Sequence, residues 1–373
     1  PNEVNLDKLP VNPPSGGWEV LSDDRGIEVT LPTTVEQHFW GEFGFRKYED
    51  EYYFEGGDEQ VKNGNYLGVS WWWREINVPE SFRGKQVQLY IRGARLRAEV
   101  YLNRQLVGYH IITETSFTCN VNKAIRPGEK NLLAIRITNP GGRMDWLDTR
   151  LISWGDYRFH ASHGFGGLDR GLLLRAHDPI YIDDLWVLNT ADLRQINARA
   201  KLINSSNRNL DGTIRLEILD PDMRSKVVSA FETPVTLPAS GKKTIQQALT
   251  YENTIPWELE SPKLYRLRAT IIFNFGTTPS GPRLHWKDSR EVDFGFRWFE
   301  ADGLGENAVL RLNGKRIRLV SAISWGFWGL NGLWPIPELA EREVMAAKAF
   351  GMNCINFHRN IGKAEVLDAQ DRL

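Results

Sequence analysis

Cysteine is nearly missing from this sequence: its 373 residues include two, Cys119 and Cys354. They lie far apart, so neither a disulfide framework nor a CxxC-type metal cluster is expected. Net charge is nearly missing too. Lys and Arg number 46 and Asp and Glu 47, and the balance of -1 sets up no global field toward nucleic acid or an anionic membrane. No apolar run reaches the ~20 residues that a bilayer crossing needs. The opening, Pro1-Asn2-Glu3-Val4, has neither a charged n-region nor an apolar h-region, so a secretory signal is either lacking or removed.

Tryptophan, by contrast, is plentiful, with 14 residues. Flat indole faces stack on sugar rings, and they also fill β-sandwich cores, the commoner use. Hydrophobic residues at 41% and charged residues at 25% fit a globular chain, and the length predicts two or three domains.

From about Asn65 to Val187 the pattern is strand after strand. Val87, Leu89 and Ile91 alternate with polar neighbours, as do Leu133, Ile135 and Ile137. Asn103-Arg104, between Ala98–Leu102 and Gln105–Gly108, reads as a two-residue hairpin turn, because Asn tolerates positive φ. Short strands at this spacing predict a jelly-roll-like sandwich over residues 1–180. Pro179 and Asp183-Asp184 mark its end. Residues 181–297 carry a second set of strands with turns at Asn204–Asn207, Asp211-Gly212 and Asp220–Asp222, which fits an immunoglobulin-like sandwich without the Cys pair.

After Arg297 the pattern changes. Arg311–Lys315 reads as a hairpin turn and Ile317–Ile323 as a strand. Pro337 opens a helix with Ala340, Val344 and Ala347 on one face and Gly351 as its stop. Asn353–His358 reads as a buried strand. Strand, helix, strand is a βαβ unit, so residues 298–373 are expected to be the start of a (β/α)8 barrel, which in full needs about 250 residues.

Several motifs in this order resemble glycoside hydrolase family 2, the group of β-galactosidases, β-glucuronidases and β-mannosidases. Tyr66–Arg74 is similar to the family's Y-x-G-x-x-W-Y-R, Ala98–Asn103 to A-x-V-Y-L-N-G with Arg104 in place of Gly, and Gly166–Arg170 to G-G-I-Y-R. Trp257–Tyr265 resembles W-s-P-x-x-P-x-L-Y, Phe294–Arg297 F-G-F/I-R, Leu312–Lys315 L-N-G-K, and Lys348–Asn353 K-x-x-G-x-N. Two motifs depart from the family. Ser324–Trp328 stands where the family has G-x-N-x-H, and in Phe357–Asn360 only His358 carries over from S-H-Y-P.

The resemblance implies the N-terminal portion of a retaining, exo-acting β-glycosidase that removes terminal sugars from oligo- or polysaccharides. Two glutamates about 5–5.5 Å apart would do the chemistry. In the family they lie on later barrel strands, so no catalytic residue is assigned here and the chain alone is expected to be inactive. Glu338, Glu341, Glu343 and Glu365 read as helix-surface charges.

Barrel chemistry sits at strand C-termini. That makes Trp325, Trp328 and His358 candidate sugar contacts, against packing of the indoles and a strand-end role for the imidazole. The long polar loop from Gly141 to Gly167 offers Trp154, Asp156 and His163 as further contacts, against a self-satisfied surface loop. No metal and no cofactor is expected. The expected partner is a carbohydrate, not nucleic acid or membrane, and a homo-oligomer is left open. A periplasmic or secreted location is expected, the cytoplasm being the alternative. The rival reading is a non-catalytic carbohydrate-binding protein.

Overall fold

The computed structural model describes residues 4–39, 68–95, 97–111, 115–139, 142–143, 158–159, 166–168, 170–277, 283–324, 336–357 and 362–373. The chain forms two compact units. The first comprises Pro1–Ala176 with Ser324–Trp334 and Phe357–Lys363, and the second comprises His177–Ile323 with Pro335–Asn356 and Ala364–Leu373.

The first unit is built on a four-stranded antiparallel sheet in the spatial order Gly68–Asn77, Lys130–Asn139, Arg97–Leu102, Gln105–His110. A three-stranded sheet, Leu172–His177, Gln86–Ile91, Phe117–Asn120, supplies the other layer. Alternation decides which side chains meet. Val87, Leu89 and Ile91 from one sheet, and Ala98, Val100, Leu102, Ile135 and Ile137 from the other, share one core with Val107 and Cys119. The hairpin between the strands that end at Leu102 and start at Gln105 turns on Asn103 and Arg104, with φ of 49° and 70°. Arg104 thus takes a left-handed conformation for which Gly is better suited.

The amino-terminal segment lies along the outer face of the four-stranded sheet. Trp18 packs edge-on against Trp71 and Tyr101, with ring centroids 5.8 and 5.1 Å apart. Asn12 reaches the same face, where its side-chain amide donates to Glu99 at 2.9 Å. Composition gave no hint of this cover, because residues 4–31 carry little regular structure of their own.

The second unit holds two antiparallel sheets. One has the order Ile180–Asn189, Gln195–Asn204, Lys242–Thr250. The other has the order Val227–Leu237, Leu210–Leu219, Tyr265–Thr277, Arg283–Phe294. Their inward residues, among them Ile196, Leu202, Ile214, Leu216, Leu267 and Phe273, are fully buried. On the outer face of the second sheet a ladder of alternating charge runs from Glu232 through Arg215, Glu217, Arg268, Glu291, Arg266 and Asp293 to Arg224.

Asp183-Asp184 lies just past the divide between the units at Ala176 and His177. It forms a bulge inside the strand Ile180–Asn189, whose extra residue is held by Arg290, donating to the Asp183 carbonyl. Two expectations are corrected here. Asp211-Gly212 is no turn, since both residues lie in the strand Leu210–Leu219. Glycine stands there because a Cβ would come within 2.6 Å of the Phe273 ring. The expected strand Ile317–Ile323 is two strands, Lys315–Ile317 and Ser321–Ser324, each with a different partner. Asn353 holds the break between them, accepting from the Val320 amide at 2.8 Å and donating to the Arg318 carbonyl at 3.0 Å.

Candidate functional site

Helix Pro337–Ala349 separates the strands Ser321–Ser324 and Cys354–Phe357, which are neighbours in one sheet. The residues just before them are bonded to each other: the Asn353 amide donates to the Val320 carbonyl at 3.0 Å. Both strands therefore start level and run the same way, as a βαβ unit requires. The helix opens on Pro337 and stops at Gly351, whose φ is 73°. The Met352 amide closes back on the Ala347 carbonyl at 2.9 Å and the Gly351 amide on Lys348 at 2.9 Å, the paired bonds of a glycine C-cap. Ala340 and Val344 are its buried face.

The segments that follow these strands carry Trp325, Trp328 and His358. These three residues, together with Trp154, Asp156 and His163, lie outside the described residues. What the structure does describe is residues that flank these segments in the chain. The loop from Gly141 to Gly167 has a stem in which Gly142 pairs with Phe159 and Arg143 with Arg158. Its far end is tied down at Gly166 and Gly167. Gly167 and Leu168 pair with Thr34 and Thr33, and Gly167 exchanges backbone bonds of 2.8 and 3.0 Å with Arg95. A Cβ on Gly167 would stand 2.7 Å from both the Thr33 carbonyl oxygen and Thr34 Cα, so glycine at 167 is needed for this close approach.

Beside that anchor the short helix Val35–Phe39 starts with a reciprocal cap. The Gln37 amide donates to Thr34 Oγ1 at 3.3 Å, and the Thr34 amide donates to Gln37 Oε1 at 3.0 Å. Glu36 is buried and accepts from the Gly166 amide at 3.3 Å. Arg95, Ser324 and Lys363 are also buried polar residues of the first unit. Sequence reading missed all of these, because Thr34-x-x-Gln37 is a capping pattern too short to stand out.

A second polar cluster stands on the outer face of the four-stranded sheet. The Glu99 carboxylate is buried and accepts from Arg97 at 2.6 Å, Arg136 at 2.7 Å, the Tyr101 hydroxyl at 2.6 Å and Asn12 at 2.9 Å. Burial first, and then the bond to Glu99, push the Tyr101 hydroxyl above its ordinary pKa, so it stays a neutral donor. Both oxygens of Glu99 are thus occupied by fixed donors. Among the described residues there is no group of three or more His, Cys, Asp or Glu that could hold a metal ion, and no helix is long and apolar enough to cross a membrane.

Residues 180–297 match the profile of Glycosyl hydrolases family 2. The chain is 24% identical over 319 residues to a beta-glucuronidase of Bacteroides fragilis, covering 82% of this chain and 42% of the relative. It is 23% identical over 320 residues to the beta-galactosidase BoGH2A of Bacteroides ovatus, covering 82% of this chain and 33% of the relative. The crystal structure of Bacteroides uniformis beta-glucuronidase superimposes with a TM-score of 0.70 at 20% identity, over 95% of this chain and 38% of that one. A family-2 member from Bacteroides cellulosilyticus gives 0.71 at 18% identity, over 94% of this chain and 43% of that one. The chain thus spans less than half the length of the relatives it matches. By its profile match over residues 180–297, its relatives and its fold, the chain is similar to members of glycoside hydrolase family 2.

Proposed function

We propose that this chain is the N-terminal portion of a retaining, exo-acting β-glycosidase that removes terminal β-linked sugars from oligo- or polysaccharides. The relatives' names divide between beta-glucuronidase and beta-galactosidase, so the proposed substrates are β-linked hexosides and hexuronides. The observation that carries this reading is the level, same-direction pair of strands around helix Pro337–Ala349. Such a unit stacks further units at its sides. Its apolar residues are open in a way that fits this. Ile323 is 55% exposed, Met345 60% and Phe350 80%, and a soluble domain rarely leaves such residues bare together unless something covers them.

In this reading residues 1–180, 181–297 and 298–373 are a sugar-binding sandwich, an immunoglobulin-like sandwich and the first part of the barrel. The two catalytic glutamates are supplied beyond these residues, and the chain alone is inactive. His358, Trp325, Trp328, Trp154, Asp156 and His163 contact sugar without taking part in bond cleavage. A periplasmic or secreted location belongs to the same proposal.

The test is hydrolysis of aryl β-glucuronides and aryl β-galactosides by the chain alone and by the chain continued through a complete barrel. The reading predicts turnover only in the longer protein, and a KM raised about 10-fold with little change in kcat for His358→Ala, as expected for lost ground-state binding. Turnover by the chain alone, or none by the longer protein, would reject it. Sugar binding by the longer protein without turnover would favour a non-catalytic carbohydrate-binding protein.

A further inference from the structure

The second unit contains a joint whose parts come from five separate stretches of sequence. Its centre is Trp257, which is 8% exposed. The Trp257 amide donates to the Phe296 carbonyl at 2.9 Å, and its own carbonyl accepts from the Asn313 side chain at 2.8 Å. Gly295 lies under it, and a Cβ there would stand 2.7 Å from Trp257 Cβ. The Arg297 guanidinium lies 4.8 Å from the centre of the indole.

Two groups on helix Ala364–Arg372 meet this centre. The Asp371 carbonyl accepts from Trp257 Nε1 at 2.7 Å, and the Asp371 carboxylate pairs with Arg297 at 2.7 Å. Next to it, Lys348 of helix Pro337–Ala349 donates to the Leu259 carbonyl at 2.9 Å and to the Leu373 carbonyl. Lys315, just past the Asn313-Gly314 turn, pairs with Glu258 at 2.5 Å.

These contacts are polar and directional, and they satisfy the Asp371 carbonyl in the last turn of helix Ala364–Arg372, which has no partner within it, and the Leu373 carbonyl just after it. The apolar contribution of that helix is small, since its buried residues are Val366 and Ala369. A nine-residue helix with so little buried surface is marginal alone. We propose that Trp257 and Arg297 are positioning residues that lock helix Ala364–Arg372 onto the second sandwich, so that the order of this helix depends on the sandwich's closing motif. The guanidinium does two things at once: its face stacks on the indole and its edge pairs with Asp371. This inference does not depend on the glycosidase reading.

Hydrogen–deuterium exchange of the intact chain tests it. Arg297→Gln is expected to speed exchange of the Ala364–Arg372 amides about 10-fold or more, while strands Gln195–Asn204 and Leu210–Leu219 keep their protection. Trp257→Phe, which keeps an aromatic face and loses the N–H donor, is expected to act in the same direction with a smaller change. Arg297→Lys should fall between Arg297→Gln and the unaltered chain, because a lysine keeps the charge but not the planar stack. Arg194→Gln serves as the control. It breaks the exposed pairs to Asp192 and Glu252 on the same sandwich and should leave the helix unchanged. The proposal is overturned if Arg297→Gln and Trp257→Phe leave helix exchange unaltered, or if the sandwich strands lose protection to the same extent. Should Arg297→Gln not fold, Trp257→Phe decides alone.

Discussion

Glu99 shows how much one residue can organise. Its carboxylate is 2% exposed and gathers Arg97, Arg136, Tyr101 and Asn12, so a sheet face and the amino-terminal segment meet on one group. Taking charge out of water costs several kcal/mol per ion, which this geometry offsets only while the set is complete. Glu99→Ala removes the carboxylate that two largely buried guanidinium groups share. It is expected to cost about 3–5 kcal/mol, read as a lowered midpoint in urea unfolding. A loss under about 1 kcal/mol would show that water replaces the carboxylate at no cost.

Asp293 gives a pH-dependent counterpart. Burial alone would raise its carboxyl, but hydrogen bonds from Arg266 and Arg224 outweigh that and hold it below its ordinary value. A carboxyl depressed in the folded state stabilises above its unfolded pKa, and that contribution is lost as pH falls through the folded value. Asp293→Asn should therefore destabilise at neutral pH, by the ~0.2–1 kcal/mol typical of partly exposed pairs. The gap to the unaltered chain should close on acidification below the ordinary carboxylate range. A gap that stays constant from neutral to strongly acidic pH would contradict this assignment.

At the scale of elements, strands and their alternation were legible in the sequence, and the reason is physical. Val87, Leu89 and Ile91, or Leu133, Ile135 and Ile137, show a period of two because one face of each strand is buried. The helix from Pro337 was legible through Pro at its start and Gly351 at its stop. Asp211-Gly212 was misread, because the same dipeptide serves two needs. In a turn, glycine supplies positive φ, whereas here it makes room for Phe273 across the sheet. Gly212→Ala is accordingly expected to destabilise by ~1–3 kcal/mol, as overpacked cores do. Trimming Phe273 should not restore it, because the Ile272 backbone oxygen also stands in the way. Full recovery in Gly212→Ala/Phe273→Ala would place the clash on the ring alone.

Side-chain couplings between distant stretches were not legible. Nothing in the spacing of Trp257, Arg297 and Asp371 announces that they meet, since two lie in separate connecting stretches and the third in a helix. The same holds for Glu36 at Gly166 and Glu99 at Asn12, separated by 130 and 87 positions. The proposed sugar contacts, from Trp154 to His358, were chosen from their places after strands and in a long loop. The structure describes chain neighbours of those places: the level strands, the loop stem at Gly142–Arg143 and the glycine anchor at Gly167.

For the whole molecule, two antiparallel sandwich cores and a strand–helix–strand unit occur in the order found in family-2 glycoside hydrolases. The motifs that carry the family resemblance have structural work to do here. Gly295, Arg297, Asn313, Lys315 and Lys348 converge on Trp257–Leu259, and Asn353 sets the register of the strand–helix–strand unit. Their order along the chain is thus tied to how the second sandwich and the helices are joined, which says more about architecture than about which sugar is cleaved.

The central proposal is that this architecture is part of a retaining β-glycosidase. Stereochemistry tests it most directly. Proton NMR would follow an aryl β-glycoside during its first turnovers by the chain continued through a complete barrel. Double displacement by two carboxylates predicts that the β-anomer of the free sugar appears first and converts to the α-anomer only by slow mutarotation. The α-anomer appearing first, or an aryl β-glycoside left intact, would contradict the account.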